Sequence, residues 1–285
     1  MKLIDLVEAS AARLAGAGVA FGHGTTNAFD EAAWLVLWQL GLPIDDLDSV
    51  AEMAVSPQQR DTVDDLVTER IQSRKPAAYL TREAWLQGVP FYVDERTLVP
   101  RSFIAELVAQ GAIDPWLSPD TKRVLDLCAG NGSLAVLAAM AYPEVDVDAA
   151  DISPAALEVA RINVDKHGLG DRIRLVESDG LAQLNGPYDL ILCNPPYVNA
   201  QSMAQLPDEF RAEPQIALAG GNDGMDFIRV LLRDAPGKMS GIGVLVLEIG
   251  NERENFERAF PRLECVWLET SAGSDQVLLV SRDNL

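Results

Sequence analysis

Apolar positions in the first eighty residues recur at helical spacing. Leu3, Leu6, Val7, Ala11 and Leu14 fall on one face and are stopped by Gly16 and Gly18. A second helix is predicted from Asp30 to Leu40, apolar nearly all round and ended by Gly41. A third takes Ser56 as cap and Pro57 in its first turn, and it places Val63, Leu66, Val67 and Ile71 on one face. Between the first two, Phe21-Gly-His-Gly-Thr-Thr-Asn27 is too rich in glycine and hydroxyls to be either helix or strand. The pattern predicts a small helical domain over residues 1–80. From Glu83 to Val99 the period changes: aromatic and β-branched residues around Gly88-Val-Pro90 predict a β-hairpin. A helix from about Ser102 to Gly111 then leads to an Asp114–Asp120 linker, so hairpin and linker helix take residues 81–115.

Residues 116–285 alternate between short apolar runs and longer helical stretches. Val124 to Cys128, Val145 to Ala150, Ile173 to Glu177 and Tyr188 to Cys193 read as buried strands. The alanine-rich stretch Leu134 to Tyr142 and a helix capped by Ser153, opened by Pro154 and closed by Gly168 lie between them. Such alternation predicts a parallel sheet with helices on both faces. A helix from about Met225, the strand Val244 to Ile249 and a helix after Asn251 follow. Two closing strands around Val266 and Val277 are separated only by Ser271-Ala-Gly-Ser274, so they should be antiparallel. The expected fold is α/β: a Rossmann-like, mostly parallel sheet with an antiparallel last strand, joined by a β-hairpin to a helical N-terminal domain.

At 285 residues, with 48% hydrophobic and 23% charged, the chain has the composition of a soluble globular protein. No apolar run approaches the roughly 20 residues of a membrane span, and Met1-Lys-Leu-Ile-Asp-Leu-Val-Glu8 is too acidic for a signal peptide. A cytoplasmic location, with no membrane partner, is expected. Cys128, Cys193 and Cys265 have no metal-site or disulfide spacing, and His23 and His167 are the only histidines, so no metal is expected. The net charge of −20 repels nucleic acid and attracts a basic partner.

The chemistry gathers at Asn194-Pro-Pro-Tyr197, where an apolar strand stops. Neither proline can continue the ladder, and proline supplies a carbonyl oxygen without an N–H. An amide N–H₂ presented to Asn194 Oδ1 and the Pro195 carbonyl meets two acceptors and no competing donor. Upstream, Asp126-Leu-Cys-Ala-Gly-Asn-Gly132 joins the first strand of this region to a helix, the setting of a nucleotide-binding turn. Gly130 and Gly132 are expected to let the backbone approach a ligand. Asp126 is acidic where a pyrophosphate tolerates no acid, which favours a ligand with a cationic end such as S-adenosylmethionine. Asp151, ending the second strand, is placed to accept two ribose hydroxyls, and Asp179, after the third, to accept the adenine amino group.

Taken in order, these motifs resemble class I S-adenosylmethionine-dependent methyltransferases that modify planar amino groups. Asp208-Glu-Phe-Arg-Ala-Glu-Pro-Gln-Ile-Ala-Leu-Ala-Gly-Gly-Asn-Asp-Gly224 is similar to the signature of the protein N5-glutamine methyltransferases. The resemblance implies cofactor contacts at Asp126, Cys128, Ala129, Gly130, Asn131, Gly132, Asp151, Ile152, Asp179, Gly180 and Asn194, and an acceptor site at Asn194, Pro195, Pro196 and Tyr197. The release-factor branch carries Pro-Arg-Pro-Asp/Glu-Thr-Glu after the hairpin; this chain has Pro100-Arg-Ser-Phe-Ile-Ala-Glu106. With Gly22-His-Gly-Thr25, Tyr79-Leu-Thr81 and Tyr92-Val-Asp-Glu-Arg96, the departure resembles the branch acting on ribosomal large-subunit protein three. Gly180 stands where the release-factor branch often has tryptophan, so adenine stacking must come from elsewhere. Competing readings are a release-factor glutamine methyltransferase, an adenine-N6 nucleic-acid methyltransferase, which the missing basic stripe disfavours, and a cofactor-binding assembly factor.

Overall fold

The computed structural model describes residues 1–285. The N-terminal helices are α1 (Leu3–Gly16), α2 (Ala28–Gln39), α3 (Leu47–Val50), α4 (Pro57–Ser73) and α5 (Ala77–Thr81). α2 starts two residues earlier than its apolar run because the Asn27 side chain caps it, accepting from the Asp30 N–H. α4 opens with a reciprocal box: Ser56 accepts from the Gln59 N–H and the Gln59 side chain accepts from the Ser56 N–H. Leu6 and Val7 of α1, Leu35 of α2, and Val63 and Val67 of α4 meet in one apolar core. The hairpin β1 (Glu83–Leu86) and β2 (Val89–Tyr92) turns through Gln87 and Gly88, both at positive φ as a two-residue turn demands. Its strands end at Tyr92, well short of Val99, and an irregular stretch runs on to α6 (Phe103–Ala109).

The remainder runs β3 (Arg123–Leu127), α7 (Ser133–Ala141), β4 (Asp146–Asp151), α8 (Pro154–Lys166), β5 (Ile173–Glu177) and β6 (Tyr188–Cys193). Two short helices, α9 (Ala200–Gln205) and α10 (Asp208–Arg211), precede α11 (Asp226–Asp234), β7 (Met239–Glu248), α12 (Arg253–Ala259), β8 (Val266–Thr270) and β9 (Gly273–Ser281). The seven strands are ordered β5-β4-β3-β6-β7-β9-β8. β5, β4, β3, β6 and β7 are parallel, and β9 runs antiparallel to both its neighbours. The last strand in sequence therefore sits inside the sheet, and β8 forms the edge.

Both faces of the sheet are buried, with alternate residues serving opposite cores. Val124, Leu190, Leu192, Val244 and Val246 pack with α6 and α7 on one side. Leu125, Leu127, Ile191, Leu245 and Leu247 pack with α11 and α12 on the other. From β3 the chain steps outward to β4 and β5, then returns to place β6 on the opposite side of β3. That reversal opens a crevice beyond the carboxyl ends of the strands, and Asp126, Asp151, Asp179 and Asn194 all fall at or near those ends. No helix is long and apolar enough to cross a membrane.

Candidate functional site

A cavity of about 690 Å³ fills that crevice, a size suited to a small organic molecule. Of the residues to which the resemblance assigns a cofactor or acceptor contact, all line it except Asp126 and Gly132. The turn after β3 places Cys128, Gly130 and Gly132 at φ 63, 55 and 77°. A Cβ on Gly130 would enter open space, so the bare backbone there is free to approach a ligand. Gly132 differs from expectation: a Cβ would lie 3.1 Å from that of Ala160, so its glycine lets α8 pack against the turn.

Asp126 lies behind the turn. It is buried, and Oδ2 accepts from the Ala135 N–H in the first turn of α7 at 2.9 Å. Burial pushes its carboxyl up to about 7, although that hydrogen bond acts the other way. Its Oδ1 has no hydrogen-bond partner, an unmatched acceptor beside the turn. Asp151 ties the turn to β4: Oδ2 accepts from the Gly130 N–H at 2.8 Å and Oδ1 from the Ser153 N–H at 2.9 Å. Burial raises its carboxyl above the ordinary value against these bonds. Each oxygen keeps a second lone pair, and the α8 cap is supplied by Ser153, whose Oγ accepts from the Ala156 N–H. Asn131 is buried, and its carbonyl accepts from Asn163 Nδ2, which also donates to the Tyr92 carbonyl and so binds the hairpin to the turn.

At the far end, Asp179 is exposed and Ile152 is 48% exposed, unusually open for an isoleucine. A Cβ on Gly180 would lie 3.9 Å from the Phe227 ring of α11. Phe227 lines the cavity there, so an aromatic face absent next to Asp179 in sequence comes from a helix 47 positions later. Only the missing tryptophan at position 180 hinted at it.

Asn194 is half-buried and Pro195 buried at the end of β6, both lining the cavity. The glycine-rich signature supports them from behind. The Val198 N–H donates to the Leu218 carbonyl at 2.8 Å, and the Gly220 N–H donates to the Val198 carbonyl at 2.9 Å. A Cβ on Gly220 would stand 2.7 Å from the Tyr197 Cα, and one on Gly250 would stand 2.5 Å from the Tyr197 ring. The Tyr197 hydroxyl donates to Glu248 Oε1 at 3.4 Å, while Glu248 Oε2 accepts from the Ser102 hydroxyl at 2.6 Å and the Phe103 N–H at 2.9 Å. Burial raises the Glu248 carboxyl above its ordinary value. Ser102 thus makes a side-chain bond that the proline of the release-factor pattern could not.

A second buried carboxylate, Glu213, gathers motifs that the sequence keeps far apart. Its Oε1 accepts from Arg101 Nη1 at 2.6 Å and from the Val99 N–H at 3.0 Å, and its Oε2 accepts from Arg101 Nη2 at 2.6 Å. His23 Nε2 stands 3.4 Å from Oε2, and the His23 ring is tilted on Phe210 with centroids 4.2 Å apart. Although burial opposes ionisation, His23 and Arg101 hold the Glu213 carboxyl down at about 2. One turn earlier, buried Glu209 meets Arg70 and Arg74 of the N-terminal helices at 3.5 and 3.2 Å, and Arg70 also donates to Glu31. The N-terminal loop is thereby held against the cavity, which Gly22, Thr25 and Thr26 help to line.

Residues 112–221 match the family described as methyltransferase small domain. Over 99% of its length the chain is 52% identical to a Bordetella pertussis protein named ribosomal protein uL3 glutamine methyltransferase, spanning 96% of that protein. A Burkholderia pseudomallei protein of the same name is 50% identical over 99% of this chain and 94% of its own. Among solved structures, the catalytic domain of hMettl16 in complex with MAT2A 3′UTR hairpin 6 superposes with TM-score 0.54 over 79% of this chain and 81% of that one. At 13% identity that likeness is one of fold.

Overpacking a core costs about 1–3 kcal/mol. Gly250→Ala and Gly220→Ala should each lower stability by that order and displace Tyr197, whereas Gly237→Ala, whose Cβ meets nothing within 4 Å, should be near neutral. Urea denaturation of the three variants checks this, and equal midpoints would contradict it. Because the folded value of Glu213 is depressed from 4.5 to about 2, its stabilisation is present above the ordinary value and lost as pH falls toward 2. The full effect amounts to about 3 kcal/mol. Wild-type stability should therefore fall more steeply between about pH 5 and about pH 2.5 than that of Glu213→Gln; parallel curves would exclude the assignment.

Proposed function

Because the chain belongs to the family of ribosomal protein uL3 glutamine methyltransferases, we propose that it methylates the side-chain amide nitrogen of a glutamine in ribosomal protein uL3, using S-adenosylmethionine. The observation that carries the reading is the full-length identity to proteins of that name. Supporting it is a cavity lined both by an Asn-Pro acceptor pair and by a glycine turn with a ribose-type carboxylate, at the ends of adjacent strands.

The residues present fit such a cofactor. Asp151 retains lone pairs for ribose hydroxyls, Gly130 presents bare backbone, and the unmatched Oδ1 of Asp126 suits a donor at the amino-acid end. Ile152 and Phe227 offer apolar faces for the adenine, with Asp179 beside them for its amino group. Cys128, Ala129, Asn131 and Gly180 complete the wall, and Gly132 acts through helix packing. When bound, S-adenosylmethionine supplies a methyl group made electrophilic by its sulfonium sulfur.

Amide nitrogen is a weak nucleophile because its lone pair is shared with the carbonyl, and positive charge grows on it as it gains a fourth bond. Asn194 Oδ1 and the Pro195 carbonyl accept its two hydrogens, and these fixed dipoles strengthen their hold as the charge develops. Pro195 and Pro196 offer no N–H to compete. Holding the nitrogen in place removes the entropy of encounter, worth several kcal/mol. The proton becomes acidic only after transfer, so no strong base is needed beforehand. Tyr197, pinned by Gly220, Gly250 and Glu248, closes the acceptor site.

We assign substrate docking to residues 1–80, the joining hairpin and helix to 81–115 and catalysis to 116–285. The first eighty residues hold 12 Asp and Glu against 6 Lys and Arg, which suits a basic ribosomal protein met in the cytoplasm.

Asn194→Ala should reduce kcat by about 10²–10³-fold while leaving the cofactor Kd within a factor of about two, measured by turnover and calorimetry. Asp151→Ala should instead weaken cofactor binding; the opposite pattern would reverse the two roles. Purified uL3 and a release factor, offered side by side with labelled cofactor, should show label on uL3, and label confined to the release factor would overturn the substrate. The KM for uL3 should rise several-fold from about 50 to about 300 mM salt as screening weakens the attraction, and a flat profile would remove charge from recognition.

A further inference from the structure

Two unlike segments, each a lip of the cavity, contribute to its lining. One comes from the N-terminal loop and presents Thr25 and Thr26; the other comes from the segment after β6 and presents Leu206, Phe210 and Ile216. Ile216 is 61% exposed, more than any other large apolar side chain in the protein. None of the three packs against the hydrophobic cores of the molecule.

The exposure of Ile216 does not come from a loose loop. Residues Gln215–Ala217 form a 3-10 turn in which the Ala217 N–H donates to Pro214 and the Leu218 and Ala219 N–H groups donate to Gln215. Leu218 is buried directly after it, and its carbonyl accepts the Val198 N–H that fastens the turn to the Asn194-Pro-Pro-Tyr197 strand end. Phe210 is likewise fixed, between the His23 ring and the Arg101 guanidinium 5.5 Å from its centroid. The backbone therefore holds an apolar side chain out to solvent at a set distance from the acceptor pair. Apolar surface held in that way, continuous with a functional cavity, marks a site that a partner covers.

We propose that Ile216, with Leu206 and Phe210, seats an apolar side chain next to the acceptor glutamine of the protein substrate, while the hydroxyl lip faces that segment's main chain. This rests on the preceding assignment of uL3 as substrate and extends it to a residue that selects the sequence around the glutamine. Charge draws the basic protein to the enzyme over long range, and the apolar lip fixes which segment enters.

The test is steady-state kinetics with full-length enzyme, purified uL3 and labelled S-adenosylmethionine, comparing wild type, Ile216→Ser and Ile216→Leu. Ile216→Ser should raise the KM for uL3 by about tenfold with kcat and cofactor Kd little changed, the loss expected for one buried apolar side chain. Ile216→Leu should restore most of the affinity. Wild-type KM in Ile216→Ser would overturn the proposal, as would a loss confined to kcat or to cofactor binding. A wild-type enzyme that labels no uL3 would overturn the substrate assignment and this proposal with it, whereas an active wild type with an indifferent Ile216→Ser removes only the apolar seat.

Discussion

Glu213 is the constraint on which the site depends. A carboxylate with no exposed surface is tolerable only when its charge is matched, and here Arg101 grips both oxygens while the Val99 N–H and His23 approach from the sides. Arg101 leads into α6, His23 belongs to the N-terminal loop, and Glu213 follows α10, so one buried charge fixes three walls of the cavity relative to one another. Removing Arg101 leaves the buried carboxylate without its matching charge, which is far costlier than losing a surface pair. Glu209 repeats the device one turn away with Arg70 and Arg74, and the His23 ring and Arg101 guanidinium that face Glu213 also pack on Phe210.

Steric constraint does for the acceptor strand what charge does for the walls. Gly220 and Gly250 have no room for a Cβ because Tyr197 lies against them, and the main-chain bonds of Val198 to Leu218 and Gly220 hold the same segment from behind. In the proposed reaction this rigidity matters, because dipoles at Asn194 and Pro195 would stabilise developing charge only if they did not reorient as it formed. The signature from Asp208 to Gly224 thus acts as scaffold: its acidic half secures the N-terminal helices, and its glycine half secures the Asn-Pro-Pro-Tyr strand end.

The parts legible in the sequence were those whose physics is local. Proline chemistry at 195 and 196, the apolar strand before it, the Ser56 and Ser153 caps and the strand-turn-helix around Gly130 all depend on neighbouring residues. What the sequence does not show is any contact whose partner is remote. What α7 and α8 demand of the turn does not show in the sequence: Asp126 anchors Ala135 through one oxygen and keeps the other unmatched, and Gly132 admits Ala160. Phe227 reaches Gly180 across the fold, and Glu213 meets Arg101 across 112 positions, with no local period to announce either. In the Gly22-His-Gly-Thr25 loop the sequence shows a branch-like motif but not its anchor, which is Glu213 facing His23 across the fold.

Electrostatics divides by range in this molecule. The net charge of −20 acts through solvent and is open to screening, whereas Glu213, Glu248 and Asp126 act within hydrogen-bond reach in a poorly solvated interior. In the proposed reaction, recognition of a basic substrate would use the first and placement of its carboxamide the second. The most direct measurement is a crystal structure with S-adenosylhomocysteine and a uL3 segment carrying the acceptor glutamine. The carboxamide nitrogen should lie within hydrogen-bond distance of both Asn194 Oδ1 and the Pro195 carbonyl; a carboxamide bound elsewhere, or an Asn194 side chain turned out of the cavity, would contradict the account.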